Sequence, residues 1–205
     1  MIVKVCGIND LNNFQALSKL PVDILGMVFY SNSPRSVRPD NENMANTISG
    51  MPVKKAGVFV DEDLNQITKI ARKFNLTHIQ LHGNESPDTC RKLKNEFKVI
   101  KAFRVGSRKD LEGIEQYKEV SDLFLFDTKG IQAGGTGEKF DWNLIMNLSL
   151  QVPYLLSGGI AAEDAERLAK LSLPGCVGID INSCFEVKPG IKDISKVEYL
   201  LSKVK

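Results

Sequence analysis

Short apolar segments alternate with longer helix-like segments along the whole chain, and this alternation restricts the possible folds more than any other feature of the sequence. Eight segments are rich in β-branched and aromatic residues and are predicted to be strands: residues 2–6, 23–29, 54–60, 77–82, 98–103, 123–127, 153–157 and 176–180. Leu123-Phe124-Leu125-Phe126 is apolar throughout, which is typical of strands covered on both faces. The pattern therefore predicts an α/β fold of parallel strands, with one helix after each strand.

Repeated strand–helix units can form either a closed barrel or an open sheet with helices on both faces. Parallel neighbours need right-handed crossovers in both cases, but eight units can close on themselves and leave no exposed sheet edge. The length of 205 residues lies at the lower end of the roughly 200 to 400 residues of such barrels. Because no linker, low-complexity tract or charge block divides the chain, we predict a single-domain (β/α)₈ TIM barrel over residues 1–205.

Residues beside the helix-like segments predict where several helices begin and end. Asn9 or Asp10 can cap the first helix, and Asp61 can cap the helix after the third strand. Pro39 suits the first turn of a helix that ends near Gly50. These boundaries support the same alternation of strands and helices.

The balance of charges and the spread of the cysteines exclude several classes of protein. The 27 basic and 25 acidic residues nearly cancel, so the basic field of a nucleic-acid-binding protein is absent from the sequence. No apolar run approaches the roughly 20 residues of a membrane helix, and the first residues enter a strand pattern rather than a secretory signal. The cysteines are widely spaced, which argues against a disulfide framework or a zinc site: Cys6, Cys90, Cys176 and Cys184. We therefore expect a cytoplasmic protein with reduced thiols, no metal, and no membrane or nucleic-acid partner.

Four side chains that can carry chemistry follow apolar runs at the predicted carboxyl ends of strands, where the active site of a (β/α)₈ barrel lies. They are Cys6, His82, Asp127 and Asp180. A free cysteine is commonly a small buried apolar residue, yet a thiol that ionises at about pH 8.5 needs only a modest electrostatic bias to act as a base near neutral pH. His82 can serve as an acid or a base, although a hydrogen-bonded structural histidine is more common.

The two aspartates each have a catalytic and a local interpretation. Asp127 directly follows an apolar run, and burying its carboxylate is unfavourable unless it is paired or exposed at the barrel mouth. Partial desolvation there would favour its protonated form and suit it to proton donation, but a turn or helix cap explains it equally well. The same ambiguity applies to Asp180, since the neighbouring Asn182-Ser183 suggests a turn.

Small residues after the last two strands indicate an anion site. Ser157-Gly158-Gly159 follows the seventh strand and Ile181-Asn182-Ser183 follows the eighth, and barrels often bind phosphate between these loops and a short helix. Arg35, after the second strand, could hold a carboxylate through two hydrogen bonds, although a solvated loop arginine is the more common case. Residues 129–139 are predicted to form one long loop, a kind of segment that tends to carry function.

Nine segments, in order from the first strand to the last, resemble the phosphoribosylanthranilate isomerases of tryptophan biosynthesis. They are Lys4-Val5-Cys6-Gly7-Ile8, Ser33-Pro34-Arg35, Gly57-Val58-Phe59-Val60, Gln80-Leu81-His82-Gly83, Phe126-Asp127, Gly134-Gly135-Thr136-Gly137, Phe140-Asp141-Trp142, Ser157-Gly158-Gly159 and Gly190-Ile191-Lys192-Asp193. Each segment is common alone, but nine at fitting positions are specific. Two residues depart from the family pattern: Cys184 stands where glycine is usual near the phosphate site, and Asp61 replaces an asparagine after the third strand.

The resemblance implies a reaction that needs no cofactor, the Amadori rearrangement of N-(5-phosphoribosyl)anthranilate to 1-(2-carboxyphenylamino)-1-deoxyribulose 5-phosphate. Asp127, as general acid, would protonate the furanose ring oxygen and open the sugar to an iminium. Cys6, as a thiolate, would then remove the C2 proton, and the resulting enamine would tautomerise to the ketone. Arg35 would hold the anthranilate carboxylate.

The resemblance also implies how this phosphorylated small molecule is held, and it leaves a monomer or a homodimer open. Backbone amides near the last two strands would bind the phosphate. The further substrate-binding residues are His82, Gly158, Gly159, Asp180, Asn182 and Ser183.

Two other functions fit the same fold. A phosphosugar isomerase of the histidine-biosynthesis type predicts catalytic aspartates at the ends of the first and about the fifth strand, whereas the first strand here ends in Cys6. A barrel that only binds a phosphorylated ligand predicts that the acid or the base is lost, whereas Cys6 and Asp127 are both present.

Overall fold

In the computed structural model, which describes residues 1–128, 144–145 and 150–205, eight parallel strands form a closed barrel in chain order. The predicted (β/α)₈ fold is therefore confirmed, and every strand lies within two residues of its predicted bounds. The barrel strands are β1 (Ile2–Val5), β2 (Ile24–Val28), β3 (Lys54–Phe59), β4 (His78–Leu81), β5 (Lys98–Val105), β6 (Leu123–Thr128), β7 (Tyr154–Leu156) and β8 (Cys176–Ile181). A short antiparallel pair follows β8, formed by β9 (Glu186–Lys188) and β10 (Ile191–Lys192).

Helices cover the outside of the barrel, but not every strand is followed by one. They are α1 (Leu11–Leu17), α2 (Glu42–Ser49), α3 (Leu64–Lys73), α4 (Pro87–Lys94), α5 (Ala165–Ala169) and α6 (Ile194–Val204). The expectation of a helix after each strand is wrong between β5 and β6, where the structure has two 3₁₀ turns, Arg108–Leu111 and Ile114–Tyr117. Gly113 separates these turns with a left-handed φ of 78°, which a continuing α-helix does not allow. Among the described residues, no helix is long and apolar enough to cross a membrane.

The helix caps agree with the sequence in part. Asp10 caps α1 by accepting a hydrogen bond from the Asn13 amide at 2.8 Å, as predicted. The cap of α2 is Asn41, and the helix does not begin with a turn at Pro39. It ends at Gly50, as expected. Asp63 caps α3 in place of Asp61.

Asp61 has a different partner because it lies two residues before the position that caps α3. Its backbone has a left-handed φ of 50°, and its carboxylate accepts a hydrogen bond from the Asn84 amide at 2.6 Å. The side chain therefore joins the loop after β3 to the loop after β4.

Alternation along the strands separates two apolar layers. Side chains such as Val3, Val5 and Ile179 belong to a large core with the helices. A smaller cluster on β5, β6 and β7 lies on the opposite face of the strands, inside the barrel: Ile100, Ala102, Leu125 and Leu155. Lys4 and Asp180 are also buried on this inner face, so one wall of the barrel interior is apolar and the other carries charge.

Candidate active site

The same alternation places the predicted catalytic side chains at one end of the barrel interior. Val5, Leu81 and Phe126 pack outward in the large core, so the residue that follows each of them points inward. Those residues are Cys6, His82 and Asp127 at the carboxyl ends of β1, β4 and β6. The structure therefore brings the candidate thiol, imidazole and carboxylate to one face.

A buried ion pair lies next to Cys6. The Lys4 ammonium and the Asp180 carboxylate are 2.8 Å apart, on β1 and β8 residues that are partners in the sheet. Cys6 continues the same pairing, since its amide donates to the Ile181 carbonyl at 2.9 Å. Its side chain is held close to Gly26, where an added Cβ would lie 2.9 Å from the sulfur. Asp180, predicted to bind substrate, is thus anchored to Lys4, a residue that the sequence analysis did not select.

Burial and nearby charges act in opposite directions on the ionisation of Cys6. Burial raises the pKa of the Cys6 thiol, while the positive charge of Lys4 opposes this and Asp180 adds to it. Burial alone would lower the pKa of Lys4, but the charges of Asp180 and Cys6 raise it, so the ammonium form is favoured. Burial also raises the pKa of Asp180 against the opposing effect of Lys4. The thiol is therefore not activated by exposure, and any activation must come from neighbouring charge.

Asp127 lies in more open surroundings. Its side chain is 28% exposed, and the 20% exposed His82 places Nε2 at 3.5 Å from Asp127 Oδ2. The Thr128 amide donates to Asp127 Oδ1 at 2.9 Å, and Gln80 Nε2 lies 3.0 Å from His82 Nδ1. The predicted acid is thus held by the amide that follows it, lies beside an imidazole, and faces the mouth of the barrel.

Arg35 forms a two-point ion pair with Glu186, a residue to which the sequence analysis gave no role. Arg35 Nε and Nη2 donate to the two Glu186 oxygens at 2.9 and 2.7 Å. Lys192 donates to Glu186 Oε1 at 2.7 Å and to Asn182 Oδ1 at 2.6 Å. Gly7 fits between the loops because an added Cβ would lie 2.6 Å from Asn182 and 2.7 Å from Arg35. The loops after β1, β2 and β8 are thereby joined in one polar network.

The loops after β7 and β8, where the sequence predicts an anion site, contain left-handed glycines and a short 3₁₀ turn. Gly158 and Gly159 both have left-handed φ angles, 88° and 64°. An added Cβ on Gly158 would lie 2.0 Å from Thr128 Oγ1, so a side chain there would displace the end of β6. Ser183 opens a short 3₁₀ turn after β8, and Cys184, the residue that departs from the family pattern, packs against the large core.

The predicted long loop of residues 129–139 lies beyond the part of the chain that the structure describes. Residues 134–137 and 140–142, which contribute to the family resemblance, lie outside the described residues. Within the described part of the chain, no group of three His, Cys, Asp or Glu side chains is arranged to hold a metal ion. All four cysteines are free.

The residues that the sequence analysis missed are Lys4, Glu186 and Lys192, all of them buried or nearly so. A lysine inside a strand that is otherwise apolar was a usable signal for Lys4, because unpaired lysines are rarely buried. Nothing local marked the other two, although Lys192 lies in one of the segments of the family resemblance.

Fold and geometry together define a class: a closed (β/α)₈ barrel enzyme with a thiol, a carboxylate and a paired guanidinium at the carboxyl ends of its strands. The model of the N-(5′-phosphoribosyl)anthranilate (PRA) isomerase family matches residues 3–203. The chain belongs to this family.

Individual relatives agree with the assignment over the whole of this chain. The N-(5′-phosphoribosyl)anthranilate isomerase of Parabacteroides distasonis is 38% identical over 206 residues, which cover 100% of this chain and 93% of the relative. The crystal structure of the phosphoribosyl anthranilate isomerase from Thermotoga maritima has a TM-score of 0.87 and 31% identity, covering 100% of this chain and 98% of that one. A structure of such an isomerase in complex with reduced 1-(o-carboxyphenylamino)-1-deoxyribulose 5-phosphate has a TM-score of 0.83, with the same identity and coverage.

Proposed function

We propose that this chain converts N-(5′-phosphoribosyl)anthranilate to 1-(2-carboxyphenylamino)-1-deoxyribulose 5-phosphate in tryptophan biosynthesis, with Asp127 as general acid and Cys6 as general base. The observation that carries the proposal is that the thiol of Cys6 and the carboxylate of Asp127 both point into the carboxyl end of one barrel. Membership of the isomerase family supports the same reaction.

The acid acts first. Protonated Asp127 donates to the furanose ring oxygen, the bond from that oxygen to C1 breaks, and the nitrogen lone pair forms an iminium with C1. The Asp127 carboxylate that remains accepts one hydrogen bond, from the Thr128 amide at 2.9 Å. His82 Nε2 lies 3.5 Å from its other oxygen.

The base acts second. The Cys6 thiolate takes the C2 proton, and the electrons of that C–H bond form a C1–C2 double bond while the iminium nitrogen recovers its lone pair. Protonation of C1 and loss of the C2 hydroxyl proton then give the ketone. The order is chemically consistent, since the iminium acidifies the C2 proton that the thiolate removes.

The substrate is held at its two charged ends. Arg35 binds the anthranilate carboxylate through Nη1, which makes no hydrogen bond to another described residue while Glu186 occupies Nε and Nη2. Backbone amides at Gly158, Gly159 and Ser183 bind the phosphate, because left-handed glycines let the backbone approach an anion closely. The ribose chain then spans the barrel mouth beside the polar side chains His82, Asp180 and Asn182.

The remaining properties stay predictions. We expect one catalytic domain over residues 1–205 in the cytoplasm, a monomer or homodimer, with a phosphorylated small molecule as its ligand. Light scattering of the purified protein over a range of concentrations distinguishes the two oligomeric states.

The fluorescence of the anthranilate group offers a direct test of the function. Purified protein is mixed with freshly prepared phosphoribosylanthranilate, and the signal is followed with and without a chelator. We expect conversion in both samples, since the proposed steps use only Asp127 and Cys6. Absence of conversion, or conversion that a chelator abolishes and a divalent cation restores, would overturn the proposal.

A further inference from the structure

Lys4 is a charged residue in the interior of the barrel that the proposed mechanism does not yet use. Its side chain is fully buried, although burying an ammonium is unfavourable unless the group is paired and hydrogen-bonded. The nearest charged partner is Asp180, at 2.8 Å.

The hydrogen bonding of Lys4 differs from that of two other buried lysines. Lys101 donates to three oxygens, Leu81 O at 3.2 Å, Gly83 O at 2.8 Å and Glu85 Oε2 at 2.9 Å. Lys192 likewise has three oxygen acceptors, on Asn182 and Glu186. Lys4 has one oxygen acceptor within the described part of the chain, Asp180 Oδ1. An ammonium has three donors, so Lys4 retains donors that the other two lysines have already used.

The thiol of Cys6 lies near the remaining hydrogen-bond donors of the Lys4 ammonium. Residues 4 and 6 point to the same face of the strand path, about 6–7 Å apart along it, and the lysine carries its charge on a flexible stem. The Cys6 amide is hydrogen-bonded to Ile181, next to Asp180. The thiol, the ammonium and the carboxylate are therefore close together on two adjacent strands.

We propose that Lys4 is a positioning residue for the base: its ammonium, held by Asp180, stabilises the thiolate form of Cys6 inside the barrel. This inference rests on the proposed role of Cys6 as the base. The charged groups that act on Cys6 are Lys4, Asp180 and Lys192, and the Lys192 charge is matched by Glu186 at 2.7 Å. Lys4 is the stronger of the two positive influences that oppose the effect of burial on the pKa of Cys6.

The test is a titration of the thiolate by its ultraviolet absorbance, without substrate. The titration of Cys6 is isolated by subtracting the spectrum of a Cys6→Ser variant in each background. We expect Lys4→Met to move the midpoint of the Cys6 titration upward by about 1–3 pH units, the usual effect of an opposite charge at about 4–6 Å. An unchanged midpoint in a folded Lys4→Met protein would overturn the proposal.

A double variant separates the direct effect of Lys4 from its effect on Asp180. Lys4→Met with Asp180→Asn leaves no unpaired buried charge, so it also gives an answer if the single variant does not fold. If the ammonium acts on the thiolate, the midpoint in the double variant stays above that of an Asp180→Asn variant. If Lys4 only neutralises Asp180, those two variants titrate alike, and the proposal is wrong.

Lys101→Met is the matched control, because it breaks another buried lysine–carboxylate pair at 2.9 Å, on the outer face of β5. It should lower the melting temperature without moving the Cys6 titration.

Kinetics supply a second readout. At pH values below the midpoint of the Cys6 titration, kcat of Lys4→Met should fall by about 10-fold for each unit by which the pKa of Cys6 rises. KM should change little. Since the titration needs no turnover, it decides the role of Lys4 even if the proposed isomerase activity is absent.

Discussion

The two proposed catalytic groups lie in opposite kinds of surroundings. Cys6 is 4% exposed and lies beside the buried pair Lys4–Asp180, whereas Asp127 is 28% exposed and faces His82 at the barrel mouth. Water can reach the acid but hardly the base. The ionisation of Cys6 is therefore governed by fixed charges inside the barrel, whereas Asp127 is open to solvent and lies beside an imidazole.

Replacing the buried base should have the largest effect. We expect Cys6→Ser to fold normally and to lose about 10²–10⁴-fold in kcat, the usual contribution of a general base, because a hydroxyl is far less acidic than a thiol and water cannot take its place. Steady-state turnover followed by fluorescence measures the loss. Cys176→Ser, at the amino end of β8, is the control and should keep full activity. Turnover near that of the unaltered protein in Cys6→Ser would move the base elsewhere, with His82 as the next candidate.

Replacing the exposed acid should have a smaller effect. We expect Asp127→Asn to lose about 10²-fold in kcat, the lower end of the range for general acids, because water at the mouth can donate a proton in its place. Asp122→Asn, just before β6, keeps an acceptor for the Val99 amide and serves as the control. A larger loss of kcat for Asp127→Asn than for Cys6→Ser would contradict the proposed difference between the exposed acid and the buried base.

The two arginines of the loop after β2 extend the comparison to one arginine buried in an ion pair and one exposed to solvent. Arg35 is largely buried against Glu186, whereas Arg38 and its partner Asp40 are both exposed to solvent. Arg35→Ala should raise KM by about 10- to 100-fold, since a charged hydrogen bond contributes about 1.5–3 kcal/mol, and Arg38→Ala should leave KM unchanged. If a substrate analogue without the carboxylate lost equal affinity for Arg35→Ala and the unaltered protein, the assignment of Arg35 would be wrong.

The smallest effect concerns backbone shape at the phosphate end. Gly158→Ala forces a Cβ to within 2.0 Å of Thr128 at a φ of 88°, so we expect a loss of at least about 1 kcal/mol in unfolding free energy and weaker inhibition by inorganic phosphate. Gly50→Ala, with nothing within 4 Å of the added Cβ, should be neutral or stabilise the protein by up to about 1 kcal/mol. Denaturant unfolding and inhibition by inorganic phosphate are measured for both variants. Equal unfolding free energies and equal inhibition in the two variants would contradict the proposed phosphate site.

The fold was predictable because buried parallel strands are largely apolar, as in β2 and in the first four residues of β6. Local capping was predictable where one side chain meets its own helix, as at Asp10. The prediction for Asp61 was wrong because its partner is the Asn84 amide on the next loop, a contact that local sequence does not reveal.

The candidate site was predictable only for residues at strand ends, where the barrel geometry dictates the active face. Cys6 and Asp127 were placed at this face in this way, and their catalytic roles, which came from the family resemblance, stay predictions. Glu186 and Lys4 were missed because their partners are distant in sequence: Arg35 is separated from Glu186 by 151 positions and Lys4 from Asp180 by 176. Such pairings depend on closure of the barrel, which joins β1 to β8.

Chemical rescue tests the contrast between the buried base and the exposed acid most directly. Asp127→Ala and Cys6→Ala are assayed for isomerisation with increasing concentrations of a small carboxylic acid and of a small thiol. We expect kcat/KM of Asp127→Ala to rise with the carboxylic acid, which can enter from solvent, and Cys6→Ala to remain inactive with either compound. Rescue of Cys6→Ala by the thiol, with none of Asp127→Ala by the acid, would contradict a buried base and an open acid.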